Sequence, residues 1–301
     1  MNLFPRHLEN IVYVNVFKKI KSKPIRIIRK IHISSIMPFK KIWFDNWWKK
    51  YNEKDLEKIV VFGCGNGKNI VKFLNKIYPK TRIIYWYWAP IEISLKPQSF
   101  KKEKCEFWTF DIDDSIKYKL NFNTQFYCFE NKNRIILSNT DDEYDVVFVG
   151  TEKNRLNELV ETQKEIEKQG LKTLFKIIKS NKHYKSDSNY NYSNSVSYDQ
   201  YLEIISKTKA ILDIISSDQS GMTLRPFESI LFRKKLITND IKIIDTDIYN
   251  PNNIFVIGYD NINDISLFMN KKYDYSNEKL LLEKYSIQSW IKRFDIGDEK
   301  L

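Results

Sequence analysis

The sequence predicts an α/β protein of two Rossmann-like domains facing a central cleft, and three observations predict it. Apolar runs of strand length alternate with amphipathic stretches of helix length from Ile59 onward. The alternation lapses into a polar stretch, "ENKNRIILSNTDDEYD" at residues 130–145, and then starts again. A chain of 301 residues exceeds what one small core needs and suits two. The predicted domains are residues 1–142, which open with a basic aromatic segment, and residues 143–301.

The elements follow in order. "IVVFG" reads as a strand, "KNIVKFLNKI" as a helix, "RIIYWYW" as a second strand and "CEFWTFD" as a third, before a helix over "DDSIKYKL". Runs apolar on both faces suit a parallel sheet covered by helices on either side. The second half repeats the plan with strand "DVVFVG", helix "NRLNELVETQKEIEKQ" and strand "LKTLFKII". Residues 179–197 are polar and poor in aliphatics, so they form a loop or flap. Tyr198 begins the helix "YDQYLEIISKTK", followed by strand "AILDII", loop "SSDQSGMTLR", helix "PFESILFRK" and strands "KLIT" and "NIFVIG". An amphipathic helical tail runs from Ser276 to Phe294. Ligands of open parallel sheets bind beyond the carboxyl ends of the strands, so the loops after Phe62, Trp88, Val149 and Ile215 are expected to line the cleft.

Composition narrows the function. Apolar residues make up 42% and aromatic residues 15%, enough to fill such cores and to exclude global disorder. Fifty Lys and Arg against 38 Asp and Glu give a net charge of +12, which favours an anionic partner: nucleic acid, anionic lipid or a phosphorylated substrate. Charges of both signs alternate through residues 145–270, which argues against a nucleic-acid module. The N-terminal 50 residues are strongly basic and carry Trp43, Phe44, Trp47 and Trp48, a pattern shared by interfacial membrane segments and by solvated helices with a few core aromatics. Cys64, Cys105 and Cys128 have no metal or disulfide spacing and read as small buried residues in a reducing compartment. No uncharged apolar run reaches about 18 residues, and "MNLFPRHLENIVYV" has no uninterrupted signal core. The expected location is cytoplasmic, with at most peripheral contact at the inner membrane face. His7, His32 and His183 lie outside the strand ends and read as surface residues.

"GCGNG" at Gly63–Gly67 follows a strand and opens a helix. It resembles the first motif of S-adenosylmethionine methyltransferases, yet the second strand ends in Trp86, Tyr87 and Trp88, where that family places a carboxylate for the ribose. The methyltransferase is therefore the alternative reading. Gly65 and Asn66 are candidates for contact with an acceptor, Asn66 as the side chain best able to bond a sugar; a ligand-free strand-to-helix turn explains the glycines equally well.

Sharper signals lie in the second half. Lys153 and Arg155 stand at the start of a helix, where cations are disfavoured by the helix dipole and a diphosphate would be welcome. In "SSDQSGMTLRPFESILFRKKLIT" a small polar loop with Ser220, Gly221 and Thr223 leads into a helix whose first turn holds Arg225, Pro226 and Glu228. Glu228 complements the helix dipole; a carboxylate behind a loop of free amides also suits the two hydroxyls of a nucleotide ribose.

These stretches resemble bacterial glycosyltransferases of the GT-B fold, in particular those acting in surface polysaccharide and glycan assembly. The resemblance runs from about Ile59 to Ile257 and includes "RIIYWYWAPI", "TFDIDDSIKYKLNFNTQFY", "YDVVFVGTEKNR", "YLEIISKTKAILDI", "QSGMTLRPFESILFRKKLIT" and "YNPNNIFVI". It implies a hexosyltransferase that moves a sugar from a nucleotide-sugar, expected to be a UDP-sugar, to a growing surface glycan, polysaccharide or glycoprotein glycan. The donor would sit on the C-terminal domain, with Glu228 at the ribose, Ser220, Gly221 and Thr223 in the phosphate loop, and Gly150 and Arg225 beside it. Lys153 and Arg155 match the basic pair near the diphosphate. Tyr198 either packs on the nucleotide base or is a buried tyrosine at a helix start. The N-terminal domain would hold the acceptor, lipid-linked or protein-linked. The family needs no metal and no cofactor beyond the co-substrate. An inverting reaction would require a general base, for which Asp111 is the candidate; helix capping is its competing role, and a retaining reaction needs no base.

Overall fold

The computed structural model describes residues 7–8, 10–35, 37–100, 102–128, 142–180, 186–216 and 221–296. Its backbone is mixed α/β with two parallel sheets, and apart from the extreme ends the chain divides into the units Phe4–Thr124 and Gln125–Asp295.

The first unit begins with a short antiparallel pair, β1 (His7–Leu8) and β2 (Ile11–Val12). Helix α1 (Lys23–Ser34) follows, started by Pro24, whose fixed φ suits a first turn. The sheet is built from β3 (Lys58–Phe62), α2 (Gly67–Ile77), β4 (Arg82–Tyr87), β5 (Glu106–Thr109), α3 (Ile112–Tyr118) and β6 (Asn121–Phe122). Its order is β3-β4-β5-β6, parallel throughout, with Phe62 opposite Trp86 and Tyr87 opposite Thr109. The uninterrupted apolar run of β4 has its cause here: Ile84, Tyr85, Trp86 and Tyr87 are all fully buried, as a central parallel strand covered on both faces must be. Helix α2 lays Ile70, Val71 and Leu74 on this sheet. Phe44 is buried in the same core, with Trp47 and Trp48 packed against it. The aromatic residues of the basic segment therefore anchor that segment to the sheet.

The second unit contains β7 (Tyr144–Thr151), α4 (Leu156–Lys168), β8 (Thr173–Ile178), α5 (Tyr198–Ser206), β9 (Thr208–Asp213), α6 (Arg225–Phe232), β10 (Lys235–Thr238) and β11 (Ile254–Val256). Helices α7 (Ile265–Asn270), α8 (Glu278–Lys284) and α9 (Ile287–Arg293) complete it. The strand order is β11-β10-β9-β7-β8, all parallel. Alternate residues of β7 feed two cores. Val147 joins Leu202, Ile205, Phe227 and Leu231 on one face, and Val146 and Phe148 join Leu159, Ile166 and Ile265 on the other.

The helical tail consists of α8 and α9, with Ser286 capping the second by accepting from the amide of Ser289. Several details depart from expectation. Strand β6 and helix α7 carried no clear periodic signal and were not anticipated. Cys64 is exposed, not buried, because it sits at the tip of the glycine turn; Cys105 is half-buried and Cys128 buried. His32 is half-buried rather than a free surface residue, since its Nδ1 accepts from Trp43 Nε1 at 3.0 Å. His183 lies outside the described residues, as do the side chain of His7 and part of the expected flap. No helix among the described residues is long and apolar enough to cross a membrane.

Candidate functional site

Strand order singles out one place in the second unit. From β7 the chain steps to β8 on one side, then returns to lay β9 on the other. The connections leaving β7 and β9 therefore diverge, and such a switch point opens a crevice at the carboxyl ends of the two strands. The described sheet of the first unit runs in one direction, β3 to β6, with no such reversal.

Three cations gather at the switch point. Beyond β7, Lys153 and Asn154 both adopt left-handed backbone, with φ of 46° and 61°, and swing the chain sharply into α4. The turn is fastened on two sides: the Lys153 amide donates to Ser180 Oγ at 2.8 Å, and Ser216 Oγ, from the loop after β9, donates to the Lys153 carbonyl at 3.3 Å. Arg225, first residue of α6, reaches back so that Nη2 donates to the Val149 carbonyl at 2.7 Å and Nη1 to Asp213 Oδ1 at 3.2 Å. Thr223 Oγ1 donates to the other oxygen of Asp213 at 2.6 Å and accepts from the Arg225 amide at 3.2 Å. The guanidinium groups of Arg155 and Arg225 lie 5.4 and 5.3 Å from the Phe148 ring centroid, within cation–π range. Gly150 is required here, since a Cβ would come within 2.8 Å of Arg225 Nη2 and 3.3 Å of the Phe148 ring.

Electrostatics make this spot receptive to an anion. Burial pushes the Lys153 ammonium below its usual range, and the charges of Arg155 and Arg225 push it further, with Asp213 in partial opposition. Asp213 is the carboxylate bonded to the cluster, and it is taken up by Arg225 and Thr223.

Beside the cations, Glu228 is 7% exposed in the first turn of α6. It accepts hydrogen bonds from Tyr201 at Oε2 and from Tyr127 at Oε1, the latter at 3.3 Å. The hydroxyls of Tyr127 and Tyr198 share a 2.5 Å hydrogen bond, and the rings of Tyr198 and Tyr201 stack with centroids 6.1 Å apart. Burial raises the Glu228 carboxyl to about 7, against the pull of the Tyr201 hydroxyl and the Arg225 charge. Tyr198 thus belongs to a tyrosine relay ending on Glu228, while Ser197 caps α5 through a capping box with Gln200.

A second buried carboxylate adjoins the turn. Glu152 is 1% exposed, and its Oε2 accepts from Tyr192 at 2.5 Å while Oε1 has no hydrogen-bond partner. Tyr192 belongs to the stretch expected as a flap, so this bond ties that stretch to the end of β7.

The candidates of the first unit lie in the glycine turn before α2 and at the start of α3. The Tyr85 ring lies beneath the glycine turn, where its hydroxyl accepts from the Cys64 amide at 3.2 Å. A Cβ at Gly67 would stand 2.4 Å from that ring, and one at Gly63 would stand 3.1 Å from the Trp86 carbonyl. At Gly65 a Cβ would meet nothing within 4 Å. Asn66 is buried; Oδ1 accepts from Asn69 Nδ2 at 2.7 Å, and Nδ2 has no hydrogen-bond partner. Asp111 is the N-cap of α3, accepting at Oδ1 from the amides of Asp113 and Asp114 at 3.0 and 3.1 Å. Capping is the role its geometry displays.

The structure therefore brings together Gly150, Lys153, Arg155, Tyr198, Thr223, Arg225 and Glu228 within one unit, with Gly221 buried in the loop before them. Ser220 lies outside the described residues. Gly65, Asn66 and Asp111 belong to the other unit. Sequence reasoning missed Asp213, Tyr127, Tyr201, Glu152 and Tyr192. Two of these had a readable signal: Asp213 is a lone acid within the apolar run "AILDII", and Tyr201 stands one helical turn after Tyr198. No three His, Cys, Asp or Glu side chains among the described residues form a group able to hold a metal ion.

No family model matches the chain, and no curated protein matches it. Among solved structures the chain is similar to a protein assigned as a UDP-N-acetylglucosamine 2-epimerase from Listeria monocytogenes, at 9% identity and a TM-score of 0.39 over 93% of this chain and 83% of that one.

Proposed function

We propose that the protein is a metal-independent glycosyltransferase of the GT-B type, taking a sugar from a nucleotide-sugar, with UDP as the expected nucleotide, and passing it to a glycan acceptor. One observation carries the reading: Lys153, Arg155 and Arg225 converge at the switch point of the second sheet, with Glu228 buried one turn beyond Arg225.

Breaking the bond between sugar and diphosphate loads negative charge onto the leaving phosphate. Cations already held in place stabilise that charge without reorganising as it develops. In this reading Lys153 is the principal phosphate contact. Arg155 and Arg225 are braced over Phe148 and raise the local potential, and the Asp213–Thr223 pair holds the loop before α6 in shape. Glu228 takes the ribose hydroxyls in place of the long bond from Tyr127. The N-terminal unit, with Gly65 and Asn66, holds the acceptor.

Calorimetric titration of UDP, inorganic pyrophosphate and S-adenosylhomocysteine into the protein tests the proposal. Binding of UDP that weakens about tenfold or more in Glu228→Ala and Lys153→Met is expected. Binding of S-adenosylhomocysteine with no binding of UDP would overturn the reading in favour of a methyltransferase.

A further inference from the structure

Helix α1 is amphipathic in the reverse sense for a helix on a protein surface. Two of its polar side chains turn inward: Arg29 Nη1 donates to the Lys18 carbonyl at 3.0 Å with its guanidinium 5.6 Å from the Phe17 ring centroid, and His32 pairs with Trp43. Most of its apolar side chains turn outward, Ile33 alone of its isoleucines being half-buried. Pro24, Ile27, Ile28 and Ile31 recur at the spacing of a single helical stripe, and the three isoleucines are 52%, 57% and 60% exposed. No residue of the helix is buried. Beyond the helix Met37, Ile42 and Phe39 are exposed as well, the last at 71% exposure with a left-handed backbone of φ 65°.

Charge identifies what covers this face. Between Asn10 and Phe44 the sequence holds nine Lys and Arg and no Asp or Glu. Lys23 and Lys30 are exposed beside the isoleucine stripe, and Arg26 is exposed on the same helix. A second copy of the same face would bring like charges together, whereas an anionic headgroup layer complements them and takes up the isoleucines beneath.

We propose that α1 and the turn over residues 37–42 form a membrane-binding face, lying in the plane of an anionic lipid surface with Ile27, Ile28, Ile31 and Phe39 at the acyl boundary. The tryptophans of the segment do not insert: Trp47 and Trp48 pack on the sheet core and fasten the face to the protein. The inference is independent of the nucleotide site, because vesicle binding is read without any nucleotide present.

The full-length protein is sedimented with vesicles of phosphatidylglycerol and phosphatidylcholine and with vesicles of phosphatidylcholine alone, across a salt series. Binding to the anionic vesicles, weakened by salt and absent from the neutral ones, is expected. The double variant Ile27→Ser, Ile31→Ser should lose about tenfold or more in partitioning with an unchanged circular dichroism spectrum, since both side chains are exposed. A triple variant, Lys23→Gln with Arg26→Gln and Lys30→Gln, should also lose binding. Equal partitioning of the wild type and the isoleucine variant would overturn the proposal. So would a lipid-free dimer of the wild type that the isoleucine variant dissolves into monomers, which would assign the face to a second copy.

Discussion

Arg225 Nη2 donates to the Val149 carbonyl at 2.7 Å, joining the start of α6 to the end of β7 across 76 positions of sequence. The bond exists because the next residue, Gly150, has no side chain to occupy the guanidinium's place.

Three glycine-to-alanine changes should therefore separate by cause. Gly150→Ala displaces a guanidinium pinned by two partners and should cost about 1–3 kcal/mol. Gly67→Ala drives a methyl into the buried Tyr85 ring and should cost at least as much. Gly65→Ala meets open space and should stay within about 0.5 kcal/mol. Urea denaturation of the three variants checks the ranking, and a destabilised Gly65→Ala would contradict the packing account of the glycine turn.

Lys153→Met should raise the melting temperature of the unliganded protein at neutral pH. The sign follows from the lowered ammonium pKa: the folded state binds that proton less tightly than the unfolded chain, so stability is lost as pH falls from the unfolded value through the folded one. At neutral pH, below the unfolded value, the wild type carries that cost. The same variant should lose most of the melting-temperature rise that UDP confers on the wild type. Thermal scans with and without UDP read both effects.

Glu228 predicts a pH signature of the opposite kind. Its folded pKa, about 7, lies above the ordinary carboxyl value of 4.5, so its contribution favours the folded state at low pH and is lost as pH rises between those two values. Glu228→Gln should therefore gain stability relative to the wild type from pH 5 to pH 8, by up to about 3 kcal/mol. Tyr127→Phe removes a donor to the carboxylate and should move the midpoint of that titration upward. Chemical denaturation at several pH values measures the difference; parallel curves for wild type and Glu228→Gln would refute it.

Tyr192→Phe should leave the buried Glu152 carboxylate without its hydroxyl donor and cost about 1–3 kcal/mol. Adding Glu152→Gln to that variant should recover part of the loss, because a neutral amide is cheaper to bury unpaired than a carboxylate. A double-mutant cycle in urea supplies the coupling, and additive effects would show that the pair is not coupled.

The sheets were legible because their signals are local. The unbroken run of β4, the strand-to-helix change at Gly63–Gly67 and the helix start at Arg225–Glu228 are written in neighbouring residues. The candidate site was half legible for the same reason: Lys153, Arg155 and the Arg225–Glu228 turn announce themselves by sitting at helix starts. Tyr127 touches Glu228 across 101 positions, and nothing near Tyr127 in the sequence marks that contact. The basic N-terminal segment was legible only as far as a choice between an interfacial membrane segment and a solvated helix, and the inward bonds of Arg29 and His32 show which side of α1 faces out.

Lys153 and Asn154 hold consecutive left-handed angles without the help of glycine. A glycine pair would trace the same bend while leaving the disordered chain more shapes to forfeit and the finished bend more ways to wobble. The stem of Lys153 therefore leaves the backbone on a preset bearing, and an arriving anion meets a positive charge whose aim was settled during folding.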